Sequence, residues 1–136
     1  MLGKEKTMTH QLWHYGAVVL CTVSLIILSG RLNVHAAGNL EAGKKLYETR
    51  CAVCHGPDGK AATPAAQALN PKPRDHTDGA YMNALSNEHL AKVIKEGGAA
   101  VGKSPLMPPQ ADLNAQQLED VIAFVRSLAV PPYNGK

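Results

Sequence analysis

The chain has 136 residues and a mass of 14.4 kDa, enough for one domain and too short for a multidomain enzyme. With 45% hydrophobic and 18% charged residues, it lies outside the composition of disordered chains. The net charge is +3, but three of the 14 Lys and Arg and one of the 11 acids precede residue 37, leaving 11 bases against 10 acids. That balance excludes a nucleic-acid binder held by phosphate contacts.

Residues 1–16 are polar and carry Lys4 and Lys6, and residues 17–28 are an apolar run of 12. A basic start, a short apolar centre and small residues at −3 and −1 describe a secretory signal peptide. Cleavage after Ala36 puts Val34 at −3. The alternative is an uncleaved membrane anchor, for which the run falls short of the ~20 residues a bilayer core needs. Cys21 sits inside the run after Leu20, without the small residue of a lipid-attachment site, and reads as an apolar residue of the signal. The organisation is then a signal over 1–36 and one domain over 37–136, exported to the periplasm.

Three helices are predicted in that domain, separated by loops and without a convincing strand. The first runs over residues 40–51, capped by Asn39, with Leu40, Gly43 and Tyr47 on one face. Gly43 mid-helix costs up to ~1 kcal/mol against Ala, which close approach of another helix would offset. The second covers residues 87–96. Ser86 is its cap, Leu85 and Leu90 form a staple, and Gly97-Gly98 is its stop. The third covers residues 115–128, with Asn114 and Gln117 as a capping box, a staple of Leu113 and Leu118, and Pro131-Pro132 beyond its end. The connections over residues 56–84 and 99–112 are rich in Gly, Pro and Ala. Such long loops are usual only where they serve a function or are disordered, and wrapping a large ligand would explain them. The domain has four aromatics, Tyr47, Tyr81, Phe124 and Tyr133, little large apolar material for a core of its own.

The two cysteines of the domain read Cys51-Ala52-Val53-Cys54-His55, the attachment sequence of c-type haem. Residues at i and i+3 leave one helical turn on the same side, so each sulfur can add to one haem vinyl group. His55, next in sequence, can then reach the iron. The chain lacks the βαβ context of a thioredoxin-like redox pair and a second Cys/His cluster for zinc. For the second axial position the candidates are Met82, Met107, His76 and His89. Met107, 52 residues after His55, stands in Ser104-Pro105-Leu106-Met107-Pro108-Pro109, where prolines lower the entropy of presenting one side chain. Met82 reads as a filler of core gaps. His89 reads as a surface residue, and His76, beside Asp75 and Asp78, as a solvated one.

The signal, Gly43-x-x-x-Tyr47, Cys51-Ala52-Val53-Cys54-His55-Gly56, and Met107-Pro108 before a C-terminal helix together resemble a class I cytochrome c of the small bacterial single-haem kind, over residues 39–130. The resemblance implies an all-α fold around one covalent haem c. Its first and last helices would cross at small residues, so that Gly43 and Tyr47 meet Val121 and Phe124. It also implies that a loop proline carbonyl, of Pro73 or Pro71, accepts the N–H of His55 and makes it more basic. Pro73 and Arg74 are placed with it in the haem surroundings.

The function expected is a soluble periplasmic electron carrier and not an enzyme, with iron held by His55 and Met107 and no open position for substrate. Met/His ligation favours a high potential. Lys60 and Lys103, joined by Lys72, Lys92 and Lys95, would form a basic patch for redox partners with acidic docking surfaces. A haem subunit of a periplasmic oxidoreductase complex is the alternative. An enzyme or gas sensor would require Met107 not to bind iron.

Overall fold

The computed structural model describes residues 37–135, so the signal-peptide reading of residues 1–36 lies outside the described residues. In chain order the helices are α1 (Leu40–Arg50), α2 (Ala52–His55), α3 (Pro64–Ala68), α4 (Gly79–Met82), α5 (Asn87–Glu96) and α6 (Ala115–Ser127), with a 3-10 turn at Gly98–Val101. No strand occurs among the described residues. A single parallel bridge joins Asp78 and Val130. The all-α class is thus the observed one, with α1, α5 and α6 as its long members.

Each long helix starts where a side chain can satisfy its first free N–H groups. Asn39 Oδ1 accepts from the N–H of Glu41 and Ala42, both at 3.0 Å. Ser86 Oγ accepts from His89 N–H. At α6 the capping box is complete: Asn114 Oδ1 accepts from Gln117 N–H at 2.9 Å and Gln117 Oε1 from Asn114 N–H at 3.0 Å. Gly97 ends α5 with φ +83°, a conformation that glycine adopts without the Cβ penalty. The short helices α3 and α4 are capped in the same way by Thr63 and Asp78, but at 4 or 5 residues they are too short to show a periodicity.

The principal helix pair is α1 on α6. A Cβ at Gly43 would fall against the Asp120 carbonyl and within 3.1 Å of Phe124 Cβ, and one at Gly38 against the Glu119 carbonyl. The absence of side chains at both positions lets the helix backbones meet. Tyr47, one turn on from Gly43, is 0% exposed, and its ring lies 5.0 Å from that of Phe124. With Tyr47, the core joins Met82, Leu90, Ile94, Leu113, Val121, Ile122, Val125 and Ala129.

Two buried charged residues fasten this pair, Asp120 within it and Arg126 to the rest of the chain. Asp120 accepts from Asn39 N–H at 2.7 Å and from Gln116 Nε2 at 2.9 Å. Arg126 donates to the carbonyls of Met82 and Leu85, both at 2.6 Å, and to Asn87 Oδ1 at 3.0 Å. Its guanidinium lies 3.9 Å from the centre of the Tyr133 ring. Arg126 therefore fills the place a carboxylate would take with carbonyls, and pins α6 to the segment between α4 and α5.

Candidate functional site

Helix α1 ends by running directly into the cysteine motif. Cys51 N–H donates to Tyr47 O at 2.8 Å and His55 N–H to Cys51 O at 2.9 Å, so Cys54 and His55 lie on the next turn, α2. Cys51 and Cys54 are unpaired thiols, each half-buried. Burial pushes the Cys51 thiol up to about 11, with Arg50 opposing the rise and Cys54 adding to it. Thr63 Oγ1 donates to Val53 O at 2.8 Å and accepts from Ala66 N–H at 3.0 Å, tying α2 to the start of α3.

The His55 ring is oriented by its backbone partner. Nδ1 lies 2.9 Å from the Arg74 carbonyl, and a carbonyl only accepts, so Nδ1 carries the proton. The lone pair is left on Nε2, the form in which imidazole binds a metal. The partner carbonyl belongs to Arg74, where the sequence suggested that of Pro73 or Pro71; both prolines line the same cavity. Burial lowers the His55 pKa, and the Arg74 hydrogen bond opposes that shift. The Arg74 guanidinium stacks over the Tyr81 ring at 3.7 Å, which anchors the segment that supplies the carbonyl.

His76 is not the solvated loop residue that its neighbours Asp75 and Asp78 suggested. It is half-buried, stacked on His55 with ring centres 4.2 Å apart and planes 16° apart. Its Nδ1 lies 3.1 Å from the Tyr47 hydroxyl. Burial pushes its pKa down to about 3, with His55 adding to the fall and Asp75 opposing it. The ring is therefore neutral at pH 7.

These groups line a cavity of about 550 Å³, within the range of cofactor sites. Leu69, Leu90, Val93, Ile94, Val121 and Val125 supply much of its apolar wall. Another wall is the segment after α5. Gly98 N–H donates to Met107 O at 3.0 Å, Lys103 N–H to Gly98 O at 2.8 Å and Gln110 N–H to Ile94 O at 2.9 Å. Met107 is half-buried and lines the cavity; Met82, 2% exposed, reaches the same cavity from the core. His89 also reaches the cavity wall and is half-buried, not the surface residue expected. Two unpaired cysteines one turn apart, a histidine with its Nε2 lone pair unspent, a thioether and a largely apolar cavity form a donor set and container that fit a covalent haem.

Of the five lysines expected to form a patch, three have partners of their own. Lys60 pairs with Asp58 at 3.9 Å and Lys92 with Glu96 at 3.6 Å. Lys95 donates to the carbonyls of Ala111 and Leu113. Lys72 and Lys103 are exposed at the mouth of the cavity.

An all-α shell around such a cavity, with the haem-attachment sequence on its wall, defines a small c-type cytochrome. Residues 40–129 match the family model described as Cytochrome c, and the chain belongs to that family. Cytochrome c-554(547) of Halothiobacillus neapolitanus is 29% identical over 94 residues, which cover 68% of this chain and 99% of that protein. The fold is similar to a chain of the reducing HAO-like protein complex of Kuenenia stuttgartiensis, with a TM-score of 0.56 and 24% identity; the match covers 68% of this chain and 44% of that one. It is similar too to the KustC0563 c-type cytochrome, with a TM-score of 0.53 and 25% identity over 64% of this chain and 96% of that one. Covalently bound haem c as cofactor and haem-based electron transfer as function follow from family membership.

Proposed function

We propose that the chain is an exported carrier of single electrons, with one haem c joined to Cys51 and Cys54 and its iron held between His55 and Met107. Such a haem supplies the ferric and ferrous states between which one electron is stored. The observation that carries the reading is the orientation of His55: its Nδ1–H is held by the Arg74 carbonyl, and Nε2 is left to bind. The other residues act around that centre. His76 lies alongside His55, so it does not compete for a position across from it; Met82 reaches the cavity wall from within the core and is the rival that Met82→Ala tests. Met107 is held at its carbonyl by Gly98, and its soft thioether favours the ferrous state and hence a raised potential. With His55 and Met107 both holding the iron, the chain would leave no site there for a substrate.

Lys72 and Lys103 at the cavity mouth would orient an acidic partner, a contribution to encounter rate that salt weakens. Export rests on the signal-like residues 1–36.

A pyridine haemochrome assay on protein made with a haem-attachment system should give one haem per chain. The ferric form should show the weak red charge-transfer band of Met–iron ligation. Fractionation with N-terminal sequencing should find the chain in the periplasm beginning near Ala37. Two haems per chain, a ferrous form that binds carbon monoxide readily, or a cytoplasmic chain would each overturn the corresponding part. A carrier elutes alone on gel filtration of native extract; constant co-elution with a larger assembly would make the chain a subunit of an oxidoreductase instead.

A further inference from the structure

Behind the proposed proximal ligand lies a chain of three rings that the cysteine motif does not require. The Tyr47 side chain is 0% exposed, and its hydroxyl has His76 Nδ1 as its partner at 3.1 Å. If Nδ1 carried a proton, the buried Tyr47 O–H would be left without an acceptor, a costly arrangement. Tyr47 therefore donates and Nδ1 accepts, which fixes the tautomer of His76 as well as its orientation. The backbone of His76 is fixed too. Its N–H donates to Gly59 O at 2.8 Å, and Thr77 N–H and Oγ1 both donate to Asp75 Oδ1 at 2.7 Å. Gly59 leaves His76 its place because it has no side chain: a Cβ there would come within 3.2 Å of that of His76.

The hydrogen bond to Arg74 orients the His55 ring from its edge, and contact with its face holds the plane against tilting. The neighbour that lies along the plane is His76, 4.2 Å away and 16° from parallel. We infer that Tyr47 and His76 are a positioning pair for His55: the α1–α6 crossing holds Tyr47, Tyr47 holds His76, and the face of His76 sets the plane of the proximal imidazole. Neither residue touches the iron in this scheme; both act through His55. The packing of the two helices thereby reaches the electronic structure of the cofactor, because the plane of an axial imidazole sets the direction of the in-plane anisotropy at a ferric haem.

The inference rests on His55 as proximal ligand, and its test separates the two. The variants are Tyr47→Phe, which removes one hydroxyl at constant ring volume, and His76→Leu, which removes the flat ring. Holoproteins are compared by the hyperfine-shifted haem methyl resonances of the ferric form, by the EPR g-values and by reduction potential. Tyr47→Phe should keep the absorption spectrum and alter the methyl spread, g-anisotropy and potential in the same sense as His76→Leu, but by less. If both variants only melt earlier while the methyl spread, g-values and potential stay those of the wild type, the pair is packing and the inference falls. Should His76→Leu yield no holoprotein, Tyr47→Phe alone decides. A wild type without the Met–iron band would count against Met107 only, since the methyl spread still reads the plane of His55.

Discussion

Adding one methyl group at Gly43 sets two effects of opposite sign against each other. Ala in place of a mid-helix Gly stabilises a helix by ~1 kcal/mol. Against that, the new Cβ would overlap the Asp120 carbonyl oxygen and come within 2.5 Å of its carbon. Those are backbone atoms of α6, so no rotamer change relieves the overlap, and the helices must separate. The buried Asp120 carboxylate holds Asn39 N–H at 2.7 Å, one turn away from the point of separation. Overpacking of this kind costs ~1–3 kcal/mol, and contact with the Asp120 backbone, which cannot change rotamer, puts Gly43→Ala at the upper end. The net loss expected is ~2 kcal/mol, a fall in Tm of roughly 8–16 °C for a domain of this size, using ~4–8 °C per kcal/mol. Gly38→Ala should behave alike, because its Cβ would meet the Glu119 carbonyl and lie within 2.8 Å of Ala123 Cβ. Gly102→Ala is the contrast, since nothing lies within 4 Å of a Cβ there and only its φ of +69° opposes substitution. Melting followed by far-UV circular dichroism on the ferric holoprotein reads all three. If Gly43→Ala melts at or above the wild-type temperature, helix propensity has won and the close crossing does not support the fold.

Other outcomes follow from the site. Cys51→Ala with Cys54→Ala should leave little folded holoprotein and no haem that survives acid-acetone extraction as a covalent adduct; covalent haem in that double variant would refute the attachment. Met107→Ala should abolish the red ferric charge-transfer band, lower the potential and open the iron to carbon monoxide or imidazole. Met82→Ala should keep the band and cost ~2–5 kcal/mol as a large-to-small core change. A wild type without the band, together with carbon monoxide binding gained in His89→Ala but not in Met107→Ala, would move the distal ligand to α5. Arg126→Leu should cost ~2–4 kcal/mol, since it strands the carbonyls of Met82 and Leu85 without donors, and urea titration at constant m-value should show it; an unchanged midpoint would mean that water replaces the guanidinium.

The parts of this fold that could be read from the sequence are those specified by neighbours along the chain. Caps at Asn39, Ser86 and Asn114 placed the three long helices because capping involves residues two or three positions apart. Gly43 announced the crossing because a mid-helix glycine needs a reason. The cysteine motif could be read for the same cause, its geometry fitting within one turn. His76 could not. Its flanking acids described a polar loop, and nothing within a few residues signals that a tyrosine 29 positions earlier takes its Nδ1. Arg126 was hidden likewise: on a helical wheel it is a polar residue in the last turn, and only the return of the chain through residues 82–87 turns it into a buried hub. The carbonyl behind His55 shows the same limit at finer scale, since two prolines and an arginine all lie close enough in sequence to provide it.

The distal wall shows how loops without periodicity are still specified. Besides the packing of Leu113 and Met107, its residues 97–113 are held by backbone and lysine donors. Gly98 N–H takes the Met107 carbonyl, Gln110 N–H takes Ile94 O, and Lys95 reaches the carbonyls of Ala111 and Leu113. Arg50, one residue before Cys51, closes the circuit by donating to Asp112 at 2.8 Å and Gln110 at 3.3 Å. Asp112 is held below the usual carboxylate range by that guanidinium, although so exposed a pair contributes little to stability by itself. Its effect is geometric. It joins the end of α1, where the cysteines begin, to the exit of the segment that carries Met107. The two glycines are needed at the other end, where Gly97 would bring a Cβ within 2.9 Å of the Met107 carbonyl and Gly98 would drive one into that of Ser104. A side chain at either place would displace the methionine, so the Gly97-Gly98 that ends α5 also sets the position of Met107 beside the cavity.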